Sequence, residues 1–263
     1  MKDAQKEKKP LSKRDKVLLI IAGIGLAIAL CCQGWYFWPW IGGNVVRESA
    51  YNWEKCDALL VPIADAPSIT NYSPYTKRQV IKYYHDIVLR REDQTNVHTC
   101  QKWAEPIRLF IGGEPDEADL ATLREACAFL NSIPGFPGIS EVSAKEEANI
   151  TMLFTEEIMK GMNGTFNIRS TDDKGNTTDV LIRIRNSLPR EKKNSVIWEE
   201  LLQSTGPMND TLLTDDTLFY NGKTDIPRAS ELDRTLLEML YHPEIKSGMD
   251  YIQSLAVFWT HMK

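Results

Sequence analysis

The chain is poor in the residues that most often hold transition metals. It has four His and five Cys among 263 residues. Five Cys over this length is too sparse for a small disulfide scaffold. Neither His85 nor His98 stands at ligand spacing from a Cys pair, so no Cys/His zinc site is expected. A G-x-S-x-G nucleophile elbow is also missing, and Gly112-Gly113 opens neither a G-x-G-x-x-G nor a G-K-[ST] phosphate loop. Excess positive charge is lacking too: the formal net charge is −5. Residues 1–16 hold seven Lys/Arg against three acids, so the remainder is more acidic than the total suggests. Such a body does not suit a phosphate backbone, and no nucleic-acid partner is expected. The rest of the composition, 43% hydrophobic and 25% charged with 15 Gly and 13 Pro, is that of a globular protein.

One long apolar run is present. Val17 to Cys32 carries no charge and leads through Gln33-Gly34 into Trp35-Tyr36-Phe37-Trp38-Pro39-Trp40-Ile41. About 20 apolar residues cross a bilayer, basic flanks stay in the cytoplasm, and Trp/Tyr clusters suit the opposite interface. No A-x-A site follows Leu30, and Ile28-Ala29-Leu30 before Cys31-Cys32 lacks the small residue that lipid processing prefers. The expectation is a basic cytoplasmic tail over 1–16 and an uncleaved signal-anchor over 17–41. A linker and amphipathic helical segment over 42–102 and an extracytoplasmic domain over 103–263 complete it. The expected location is a cell membrane, crossed once, with the amino terminus inside. Cys56 and Cys100 are a candidate disulfide pair on the outer side. Cys127 lies on an apolar helix face and reads as a buried thiol.

Periodicity divides the soluble part. Val80, Ile81, Tyr84, Ile87 and Val88 recur at helical spacing, predicting a helix over 75–91 with Ser73 as N-cap and Pro74 in its first turn. Strands are predicted over 107–111, 139–142, 148–154, 164–169 and 179–185, with a helix over 116–133 among them. Helices follow over 192–204 and 231–241. The run Tyr251 to Trp259 reads equally as helix or strand. His242 and His261 read as structural or exposed. The fold class is α+β.

The segment Ser195 to Asp210 carries the chemistry. Zinc peptidases place two His at i and i+4 on one helix, with a general-base Glu after the first. One subgroup ends the helix with Gly and adds a third His three residues on. At those intervals this chain has Glu199, Glu200, Gln203, Gly206 and Asn209. Every interval fits, and every His is absent. A sheet before this helix, the segment Asp216 to Tyr220 after it and a last helix give a layout that resembles the metzincin-like branch of zinc peptidases.

A closer resemblance is to the bacterial domain of unknown function 2927, over roughly residues 87–249. It rests on Trp103, Pro106-Ile107, Ala148-Asn149-Ile150, Glu199-Glu200-Leu201, Gln203, Gly206, Asn209-Asp210, Leu240-Tyr241 and Gly248-Met249. The resemblance implies a peptidase-type fold whose helix reads E-E-L-x-Q. Pro207-Met208 after the Gly, and the lack of a Cys close before the helix, depart from that pattern. Amides such as Gln203 and Asn209 are feeble zinc ligands, so no metal and no cofactor are expected. Glu200 keeps the general-base position with no metal-activated water to serve. The favoured expectation is an inactive peptidase-like domain that binds a peptide or cell-envelope partner through Glu199, Gln203, Asn209 and Asp210. Two alternatives remain: a polar network that only fixes the helix end, and a metal-dependent hydrolase using Glu200 with an oxygen-ligand site.

Overall fold

The computed structural model describes residues 66–91, 98–222 and 226–263. The basic tail, the apolar run 17–41, the linker to residue 65 and Cys31, Cys32 and Cys56 lie outside the described residues. Among the described residues no helix is long and apolar enough to cross a membrane.

The architecture is mixed α/β. Helix α1 (Lys77–Val88) precedes strand β1 (Ile107–Gly113), helix α2 (Glu117–Asn131), strand β2 (Ile139–Glu141) and strand β3 (Ile150–Thr155). Strands β4 (Gly164–Thr171) and β5 (Thr177–Arg185) follow, then helices α3 (Arg190–Gln203), α4 (Glu231–Leu240) and α5 (Tyr251–His261). The five strands lie in the order β2-β1-β3-β5-β4. All neighbours are parallel except β4, which runs antiparallel to β5 at the edge.

Register explains the core. Leu109, Ile150, Val180 and Ile168 form one row across the sheet, and Ile111, Met152, Ile182 and Phe166 form the next. Paired residues share a face, so these rows stack apolar side chains on one side. The members from β3 and β5, together with Phe154 and Ile184, are at most 2% exposed. Helix α3 packs on β4 and β5, and α2 packs on α3 and β2. The third row, Gly113, Phe154, Ile184 and Gly164, ends in glycine on both sides.

Helix α1 joins the same core through Val80, Ile81, Tyr84 and Ile87. Its N-cap differs from the sequence expectation. Thr76, not Ser73, accepts from the Gln79 backbone N–H, and the Gln79 side chain reciprocates in a capping box. Ser73-Pro74 instead lies in a turn before the helix. The ambiguous run near the end of the chain is helical (α5), because Asp250 and Gln253 form a capping box at its start. His242 and His261 are both buried rather than exposed. His242 Nε2 lies 3.0 Å from the Pro67 carbonyl oxygen, and His261 Nε2 lies 3.0 Å from Glu244 Oε2. Cys100 is a buried thiol whose pKa burial pushes up to about 11; its candidate partner Cys56 is outside the described residues. Cys127 is half-buried.

Candidate functional site

Helix α3 is fixed at both ends by groups distant in sequence. At its start, Lys193 Nζ donates to the buried Asp119 carboxylate at 3.3 Å, and Arg190 donates to Asp116 and Asp119. Asp116 and Asp119 are themselves the capping box of α2, so one cluster of charges ties the two helix starts together. At its end the last carbonyls turn in on the residues that follow: Ser204 N–H donates to Glu200 O at 3.1 Å, Thr205 N–H to Leu202 O at 2.9 Å and Gly206 N–H to Gln203 O at 3.1 Å. The Trp103 indole N–H donates to Ser204 O at 2.9 Å, and the Tyr241 hydroxyl donates to Thr205 O at 2.8 Å. Gly206 then turns the chain with φ +137°, in a place where a Cβ would meet the Gln101 carbonyl oxygen at 2.7 Å.

Beyond that turn the chain docks on the end of α1. The backbone N–H groups of Met208 and Asn209 both donate to Ile87 O, at 3.0 and 3.1 Å. Asn209 Nδ2 donates to Asp86 O at 3.0 Å and to Asp210 O at 2.7 Å. Gln203 Nε2 donates to Asp210 Oδ1 at 3.1 Å. Gln203, Asn209 and Asp210 are thus brought together. Glu199 lies one turn before Gln203 on the same face of α3, partly exposed.

Two residues that extend this network were not singled out as site residues from the sequence. Asp86 accepts from the Thr211 hydroxyl at 2.6 Å and pairs with Arg90 at 3.2 Å. Burial raises its pKa to about 6, against the opposing pull of Thr211 and Arg90. The segment after Thr211 is held just as firmly. The Thr217 and Tyr83 hydroxyls donate to Asp233 Oδ1 at 2.6 and 3.0 Å, and Leu218 N–H donates to Asp233 Oδ2 at 3.1 Å. Asp233 is fully buried, which raises its pKa.

Glu200 points elsewhere. It is 8% exposed and lies beneath β4, where a Cβ on Gly164 would meet Glu200 Oε1 at 2.4 Å and Val196 Cγ1 at 2.6 Å. The glycine at the start of the edge strand therefore makes room for the carboxylate. Replacing Gly164 with Ala is expected to cost about 1–3 kcal/mol by overpacking, measured by chemical unfolding. A change below about 0.5 kcal/mol would show that the contact relaxes freely.

The donor set does not fit zinc. Two of the three positions are amides, and Asn209 is oriented by donating to two backbone carbonyls. Among the described residues no three His, Cys, Asp or Glu side chains converge as a metal cage. Three cavities, of about 210, 360 and 250 Å³, are lined by residues other than Glu199, Glu200, Gln203, Asn209 and Asp210.

A comparison with curated proteins gives no match. The sequence profile described as "Protein of unknown function (DUF2927)" matches residues 77–259, from the first turn of α1 into α5. That span holds the sheet, the α3 helix and every residue of the polar network just described, and the chain belongs to this family.

Proposed function

We propose that this is a membrane-anchored protein whose extracytoplasmic domain keeps a zincin-like layout without its catalysis and binds an extended peptide of the cell envelope. The apolar run 17–41 with its basic flank supports the anchor and its orientation. The layout is supported by the order of parts. A sheet comes first, then α3 with Gly206 just past its end, a closed loop from Thr211 to Asn221, and α4 after it.

One observation carries the binding role: β4 is an edge strand whose outer side is unpaired among the described residues, and it begins directly over Glu200. Arg185 N–H donates to Asn163 O at 2.8 Å, which makes that pair a hydrogen-bonded one. Antiparallel pairs alternate, so the N–H and C=O of Gly164, Phe166 and Ile168 point away from β5. An extended peptide meets such an edge through its own backbone. The amides at Gln203 and Asn209 make a metal-activated water a poor fit, so Glu200 serves as a wall of the site rather than as a general base.

The test uses the full-length chain in detergent micelles and a library of extended peptides. N-methylation at alternate residues of a retained peptide is expected to abolish binding, and N-methylation at the intervening residues to leave it unchanged. Equal binding of both N-methylated series would contradict pairing along β4.

A further inference from the structure

The end of β4 opposite Gly164 borders a cavity of about 360 Å³, with Arg91, Gln101, Arg169, Ser170, Thr171 and Gly248 among its lining. Its lining residues carry two donors that lack acceptors among the described residues. Gln101 is 7% exposed, and among the described residues neither its Nε2 nor the Nε of Arg91 has a hydrogen-bond partner. The Arg91 guanidinium donates to Gln101 Oε1, which fixes the amide orientation and leaves Nε2 as a donor. Arg169 is neutralised by Asp179, whereas Arg91 meets no carboxylate among the described residues.

We propose that this cavity is the carboxylate subsite of the peptide held along β4, an inference that rests on the peptide reading above. An anionic oxygen acceptor suits both a guanidinium and an amide donor. The strand between Gly164 and Ser170 spans roughly 20 Å, so about six extended ligand residues separate Glu200 from the cavity. The carboxylate has two possible sources. A C-terminal carboxylate places the peptide parallel to β4. An Asp or Glu side chain near the other end of the peptide fits the antiparallel direction.

The experiment immobilises the full-length chain in detergent micelles. It is exposed to four pools of N-acetylated heptapeptides: C-terminal acids and C-terminal amides, each with and without Asp and Glu. Retention of a carboxylate-bearing pool about ten-fold above the amide pool lacking Asp and Glu is expected. The pool that shows this preference identifies the source. Gln101→Glu keeps an acceptor for Arg91, so an unchanged thermal midpoint is expected, with the carboxylate preference cut to less than about two-fold. Retention of the carboxylate-free pool is expected to stay as in the parent. Arg91→Gln is the second variant, with the same expected loss of preference. Equal retention of all four pools, or a preference that survives both variants, overturns the subsite and leaves the peptide reading standing. No retention of any pool overturns the peptide reading itself.

Discussion

Gly206→Ala is expected to lower the unfolding free energy by about 3 kcal/mol, read by chemical denaturation followed through tryptophan fluorescence. Two costs combine. The residue has φ +137°, where an L side chain is strained. The new Cβ would also lie 2.7 Å from Leu240 Cδ2 and 2.7 Å from the Gln101 carbonyl oxygen. The leucine tip can rotate away, but the backbone carbonyl belongs to the stretch that also carries Trp103, the cap of Ser204. Relief must therefore come from movement of the Gly206 turn. That movement would pull Asn209 from Ile87 O and Asp210 from Gln203, because both contacts follow the turn within four residues. A loss below about 1 kcal/mol would show that the turn is not tightly held.

The second large effect is pH-dependent. His85 is 1% exposed, its Nε2 lies 3.0 Å from Ser254 Oγ, and burial lowers its pKa to about 3. Below the unfolded value of about 6.5 the unfolded chain takes up a proton that the folded chain refuses. The stability given by a neutral His85 is thus complete above pH 6.5 and is lost as the pH falls toward 3. Its neighbour Asp86 acts in the opposite sense. With a folded pKa of about 6, it binds a proton more readily in the folded chain, so its burial cost is relieved as the pH falls through 6. The wild-type curve alone therefore conceals both slopes. The stability difference between the parent and His85→Gln isolates the histidine. It is expected to be constant above pH 7 and to move against the parent by about 1.4 kcal/mol per pH unit below 6. A flat difference down to pH 4.5 would mean that His85 titrates normally.

The sequence carried the elements well because most of them have strong local signals. Helix α3 follows from its periodicity, and its end from Gly206. The strands β3 and β5 follow from alternating Ile, Val and Met that fill the buried rows. The interval from Glu199 to Gln203 to Asn209 was legible too, as was the company of Asp210. Its partners were not. Asp86 meets Thr211 across 125 residues, and nothing local in α1 marks a buried carboxylate. Gly164 looked like an ordinary strand start, because its reason is Glu200, which comes from a helix later in the chain. The start of α1 was misplaced for a simpler cause: Ser73-Pro74 imitates a cap, while the true box is Thr76 with Gln79. The run in α5 was ambiguous because its centre, Leu255 to Trp259, is apolar throughout, and only Asp250 and Gln253 before it settle the helix. The histidines at 242 and 261 read as structural or exposed, and the contacts with Pro67 and Glu244 that decide for the buried role come only with the fold.

On the proposed reading, the domain holds a peptide without cutting it. The most direct measurement incubates the full-length chain with the peptide library and follows both retention and cleavage by mass spectrometry, with and without a chelator. Retained peptides are expected to return intact under every condition, and Glu200→Gln is expected to yield no cleavage product either. Cleavage that the chelator stops and Glu200→Gln abolishes would make Glu200 a general base serving a metal and overturn the non-catalytic reading.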